Sequence, residues 1–172
     1  MLACCFMSGT VFAESEKSPV YADKINDGTY SIEVTSSSSM FKIVDCQLTV
    51  ANGTMNAVMT LSGTGYEKLF MGTGEEAESA PDDNCIYFVE NAEGKYTYTV
   101  PVEALDKDID CAAWSIKKQK WYDRTIVFES ETLPDGAMKG GVNTVLIIGI
   151  AAAVAVVIVA IVIFRMKKKK TD

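Results

Sequence analysis

Apolar residues recur at every second position between residues 27 and 130, in short runs, which is the period of half-buried strands and not of helices. Tyr30, Ile32 and Val34 alternate with polar neighbours and predict a strand over 30–35. Four serines, Ser36 to Ser39, then interrupt the pattern. Their hydroxyls compete for backbone groups and predict a loop or short helical turn. Val44, Cys46, Leu48 and Val50 alternate on one side of Asn52-Gly53, and Met55, Ala57, Met59 and Leu61 on the other. Asn-Gly between two such runs predicts a hairpin closed by a type I′ turn, which needs positive φ at both central residues.

Further strands are predicted over 66–71, 86–89 and 96–100, and a last strand pair over 111–116 and 122–128 around Lys117 to Lys120. The acidic stretch 75–84, with Pro81, reads as a loop, and 102–105 as a helical turn. The Pro-containing segment 14–26 reads as a flexible leader. Strands at this spacing predict an all-β fold, an immunoglobulin-like antiparallel β-sandwich.

The pattern changes at the C-terminus. Residues 145–164 form an uncharged run of 20, almost all Ala, Val, Ile and Leu. As a helix it would extend roughly 30 Å, the thickness of a bilayer core. Arg165 and Lys167 to Lys170 follow. Basic residues beside a span stay cytoplasmic. We therefore expect a transmembrane helix over 142–164, a basic cytoplasmic tail over 165–172, and a single-pass cell-membrane protein with its N-terminal domain outside the cytoplasm. Residues 1–13 read as a signal peptide ending in Val11-Phe12-Ala13, with the missing basic n-region pointing to a truncated start. Leu2-Ala3-Cys4 leaves lipidation open as an alternative. Leu133-Pro134-Asp135-Gly136 lacks the Thr of a cell-wall sorting signal, so 131–141 reads as a membrane-proximal linker.

Charge and missing residue types narrow the function. The whole chain carries −7, but residues 14–141 hold 11 Lys+Arg against 22 Asp+Glu, a net −11. Such a surface disfavours nucleic acid. With no histidine in the chain, His-dependent triads, zinc sites and haem ligation are excluded, and an enzyme is not expected. Cys46 and Cys111 fall on apolar strand faces and read most simply as buried free thiols, with a pairing among Cys46, Cys85 and Cys111 left open. Asp106, Asp108 and Asp110 have a calcium-loop rhythm, but Cys111 and Lys117 stand where an EF-hand needs Gly and Glu.

Candidate chemistry gathers at the last hairpin. Tyr122, Ile126 and Phe128 share one face of the final strand, Trp121 precedes them, and Trp114 lies on the partner strand. A phenol beside apolar surface is a ligand type for ferric haem. Ser39-Met40-Phe41, then Gln47-Leu48-Thr49-Val50, Asn52-Gly53 and Met59-Thr60-Leu61, then 121–128 occur in an order that resembles the NEAT (near-iron transporter) domains of Gram-positive surface proteins. The resemblance covers 27–130. It implies a haem-binding β-sandwich in which Ser39-Met40-Phe41 is a lip over the ligand and Tyr122 is the iron ligand. It further implies Met40 over the opposite haem face, Ser38 or Ser39 near a propionate, and Lys117, Lys118 and Lys120 pairing with propionates. Ile126 stands where the family has a second Tyr that supports the first. A related streptococcal protein that ligates iron through two methionines makes Met40 a second candidate ligand. The expected role is capture of haem or another iron-containing small molecule for uptake, with other surface haem-relay proteins or a membrane transporter as partners. The alternative is a non-catalytic adhesion or protein-interaction sandwich.

Overall fold

The computed structural model describes residues 17–140. Two five-stranded antiparallel sheets make up the domain. The first contains β1 (Gly28–Ser31), β3 (Ile43–Ala51), β4 (Thr54–Leu61), β8 (Tyr96–Val102) and β7 (Val89–Glu90), in that order. The second contains β2 (Val34–Ser36), β10 (Lys120–Phe128), β9 (Ile109–Ser115), β5 (Tyr66–Phe70) and β6 (Ile86–Tyr87). The signal peptide, transmembrane helix and tail read from the sequence lie outside the described residues.

The period-two pattern fills the space between the sheets. Leu48, Val50, Met59, Leu61, Tyr98 and Val100 from the first sheet meet Leu69, Cys111, Ala113, Ile126 and Phe128 from the second. Each large aliphatic side chain removed from water here is worth about 1.5–3 kcal/mol before entropy is charged. Asn52 and Gly53 close β3 onto β4 with φ of 52° and 75°, the two positive values that the Asn-Gly pair predicted.

Several predicted elements divide differently. The strand expected over 30–35 is two strands in two sheets. Ile32 donates to the Cys46 carbonyl at 3.1 Å, its last tie to the first sheet. Glu33 then donates its N–H to Thr132 Oγ1 at 2.9 Å, and its carbonyl accepts from Glu129 N–H in the second sheet. Buried Ile32 is the corner of this crossing. A second crossing at Phe88 separates β6 from β7, and the Phe88 ring stacks on Tyr96 at 3.6 Å.

The acidic loop contains a helix, α1 (Gly74–Ser79), opened by a full capping box between Thr73 and Glu76. Residues 102–105 form no helical turn: Val102 ends β8, and Leu105 exchanges two backbone hydrogen bonds with Val20. The segments read as leader and linker are part of the fold. Ile25 is fully buried and bridges Met138, Asn26 donates to the Ala137 carbonyl at 2.7 Å, and Lys139 donates to the Lys24 carbonyl at 2.6 Å. One apolar side chain per turn of chain, Ala22, Ile25 and Ala137 among them, suffices to dock them.

Candidate functional site

The lip follows directly from β2. Ser37 exchanges hydrogen bonds with Thr125 on β10, its N–H to the carbonyl at 2.9 Å and its Oγ accepting from the amide at 3.0 Å. The chain then turns: Phe41 N–H donates to the Ser38 carbonyl at 3.0 Å, and Ser38 Oγ accepts from Met40 N–H at 3.4 Å. Phe41 drives its ring into the core, fully buried and edge-on to Tyr66 at 5.4 Å. With its neighbour fixed inward, Met40 is forced outward and is 80% exposed.

Tyr66 reaches the inner face because of a bulge in β5. Tyr66 pairs with Ser115 and Lys68 with Trp114, so two steps on β5 match one on β9. The extra residue, Glu67, inverts the alternation. Tyr66 therefore faces inward beside Phe41, while Lys68 faces outward. The Tyr66 carbonyl accepts from Tyr98 Oη at 2.7 Å, and that phenol is only 1% exposed. Burial pushes its ionisation well above the usual range.

Lip and hairpin enclose a cleft of about 290 Å³, bordered by Met40, Lys42, Leu61, Tyr66, Ser115 and Lys117 among others. Tyr122, Ser38, Ser39, Lys118 and Lys120 do not line this cleft, and Arg124 links the cleft's Tyr66 to Tyr122. Its guanidinium lies 5.1 Å from the Tyr122 ring centre, and Nη2 donates to Tyr66 Oη at 3.4 Å. Arg124 Nε is buried and has no partner among the described residues. Lys120 Nζ lies 4.8 Å from the same Tyr122 ring. The Tyr122 phenol is half-buried, and no hydrogen bond engages it among the described residues.

Charge sorts strongly across the domain. Lys17, Lys24, Lys68, Lys95 and Lys107 each have a carboxylate within ion-pair distance. Among the described residues Lys42, Lys117, Lys118, Lys120, Arg124 and Lys139 have none. Lys139 stands at the clasp with Lys24, and the other five belong to the lip and the β9–β10 hairpin. An otherwise acidic domain thus gathers most of its cations without carboxylates at one end, beside two phenols and an exposed thioether.

The other residues singled out from the sequence are distributed as follows. Ser39 is exposed on the lip, and Lys118 is exposed in the hairpin turn, its amide donating to Ser115 Oγ at 3.3 Å. Ile126 is fully buried between Ile109 and Ser36 and does not border the cleft. Trp114 is on the opposite face of the sheet from Tyr122. It pairs with Trp121, ring centres 5.4 Å apart at 69°. Lys68 lies 5.4–6.0 Å from the rings of Tyr87, Trp114 and Trp121, and is held by Asp82 at 2.5 Å. Asp106 has positive φ, and its carboxylate accepts from the Ser130 amide at 2.8 Å, so it fastens a turn. Among the described residues no three acidic or thiol groups converge to hold a metal. Cys46, Cys85 and Cys111 are free, and burial pushes the Cys46 and Cys111 thiols up to about 12.

Tyr66, Lys42 and Arg124 were not singled out by sequence reasoning. Alternation alone puts Tyr66 and Lys68 on the same face, and nothing in Tyr66-Glu67-Lys68 signals the bulge. Compared with protein-family models, with curated proteins and with solved structures, the chain matches none.

Proposed function

We propose that this chain is a non-catalytic binding module, displayed outside the cytoplasm on a membrane anchor, whose lip–hairpin cleft captures haem. The observation that carries this reading is that Met40, Tyr66, Lys42 and Lys117 line one cleft, from which Arg124 links Tyr66 to the unengaged Tyr122 phenol, with Lys120 beside that ring. A ferric porphyrin bears two carboxylates on a flat apolar disc and takes an oxygen ligand from Tyr. Tyr122 is the residue to hold the iron. Met40 covers the ligand from the lip, and Lys117, Lys118 and Lys120 serve the propionates with Ser38 and Ser39. Ser38 accepts the Met40 amide and keeps its own hydroxyl proton to donate. Trp114 and Ile126 have no part in this site. Bound haem would supply the iron that takes the phenolate; the chain supplies position, cations and shelter from water. Two sheets joined by strand-level crossings support the immunoglobulin-like, NEAT-like reading of the sandwich. Surface haem-relay proteins or a membrane transporter are the partners this role needs.

A second reading, adhesion to another protein, is favoured by the outer-face cluster of Trp114, Trp121 and Tyr87, with Tyr87 45% and nearby Val89 69% exposed. Titrating haemin into the purified full-length chain decides between them. A Soret band that saturates at one equivalent and is lost in Tyr122→Ala supports haem capture. A spectrum identical to that of free haemin removes it and leaves the protein-binding reading.

A further inference from the structure

Met40 differs from every other methionine of the domain. Met55 and Met59 are buried at 3% and 0% exposure, and Met71 and Met138 are half-buried against the core. Met40 is 80% exposed, at the mouth of the cleft, with no freedom to retreat because Phe41 pins the adjacent backbone. Thioether oxidation by a peroxide follows solvent access to sulfur. Lys42 and Lys117 border the same cleft and have no carboxylate among the described residues.

From this we infer that Met40 is a selective oxidation site, and that its sulfoxide closes the cleft to ligand. The second half rests on the haem-capture reading. The reaction is a two-electron oxygen transfer from a hydroperoxide. A sulfur lone pair attacks the terminal peroxide oxygen and forms the S–O bond as the O–O bond breaks. The departing oxygen takes the proton and leaves as water or alcohol, so sulfur is oxidised and peroxide reduced. The product replaces a soft apolar cap with a strong dipole whose oxygen accepts hydrogen bonds. Lys42 and Lys117 are the donors at hand. Engaging them removes both the apolar lip contact and the free cations that an anionic, flat ligand needs.

The test is brief exposure of the full-length chain to hydrogen peroxide, followed by tryptic mass mapping and haemin titration. Cleavage after Lys24 and Lys42 isolates Met40 as the sole methionine of its peptide, and the next peptide, ending at Lys68, carries Met55 and Met59. The expected result is one added oxygen on the Met40 peptide before any on the peptides carrying Met55, Met59, Met71 and Met138. Haemin affinity then falls about tenfold, the scale of one lost thioether contact. Methionine sulfoxide reductase restores it, and Met40→Leu binds haemin equally before and after peroxide. Equal oxidation of the Met55/Met59 peptide overturns the selectivity. Unchanged affinity in the oxidised chain overturns the closure. If the untreated chain gives no Soret band, the haem reading falls and the closure with it, while the mass map still judges Met40 by itself.

Discussion

Replacing Tyr98 with Phe isolates one hydrogen bond that joins the two sheets at the site. Tyr98 stands on β8, in the first sheet, and its hydroxyl donates at 2.7 Å to the carbonyl of Tyr66 in the second. The substitution keeps the ring and its packing, so no cavity accompanies the change beyond a single oxygen. What it leaves is a buried carbonyl without its donor. That costs about 1–3 kcal/mol, against about 0.5–1.5 kcal/mol for an average bond whose partners both return to water. We expect a cost within that range, because Tyr98 is 1% exposed and the Tyr66 carbonyl is part-buried at the cleft edge. Urea unfolding followed by tryptophan fluorescence reads this as a lower midpoint at unchanged slope. Tyr96→Phe on the same strand is the control. The Tyr96 hydroxyl has no partner among the described residues and its ring is held by stacking on Phe88, so the change should stay within about 0.5 kcal/mol. A Tyr98→Phe effect as small as the control's would refute the claim that this bond fastens the bulge.

Phe41→Ala should destabilise the fold by about 3–5 kcal/mol by emptying a fully buried aromatic site, and surviving protein should show a mobile lip as faster amide exchange at Met40 and Lys42. Stability should also fall in alkali. Burial raises the Cys46 and Cys111 thiols from 9.0 to about 12, so between those values the unfolded chain has released protons that the folded one retains. Stability is therefore full below pH 9 and declines as pH rises toward 12, by up to about 1.4 kcal/mol per pH unit for each thiol. Midpoints measured across that window should flatten in Cys46→Ala, and an unaltered slope would contradict the assignment.

The parts legible in the sequence are those where local chemistry and sheet geometry demand the same thing. Asn52-Gly53 is one, since a two-residue turn with positive φ leaves little else. The β9–β10 hairpin is another, with Tyr122 and Ile126 on one face as alternation requires. Thr73-Gly74-Glu75-Glu76 carried a legible capping box that acidity obscured, because a run of carboxylates reads as solvated loop. The site was less legible for a different reason. Its geometry depends on an unpaired residue at Glu67 and on sheet changes at Ile32 and Phe88, and each of these inverts or redirects a period-two pattern without altering composition. Trp114 looked adjacent to Tyr122 because the strands are neighbours. Register sets it opposite Trp121, and thereby on the other side of the sheet.

The backbone bonds between residues 24–26 and 137–139 make the first and last described segments neighbours. The cationic hairpin tip lies at the far end of β10, eight residue steps or about 26 Å from Phe128. A domain whose first and last described segments meet can be circularly permuted: a short connector across the clasp, with new termini cut at Asn52-Gly53, should leave both sheets in place. The polarity of display would survive the cut. The Asn52 amide donates to Asp27 at 3.4 Å, one residue from the Asn26–Gly136 bond of the clasp, so a tether at the β3–β4 turn leaves from the same end as one at residue 140 and still holds the cleft outward.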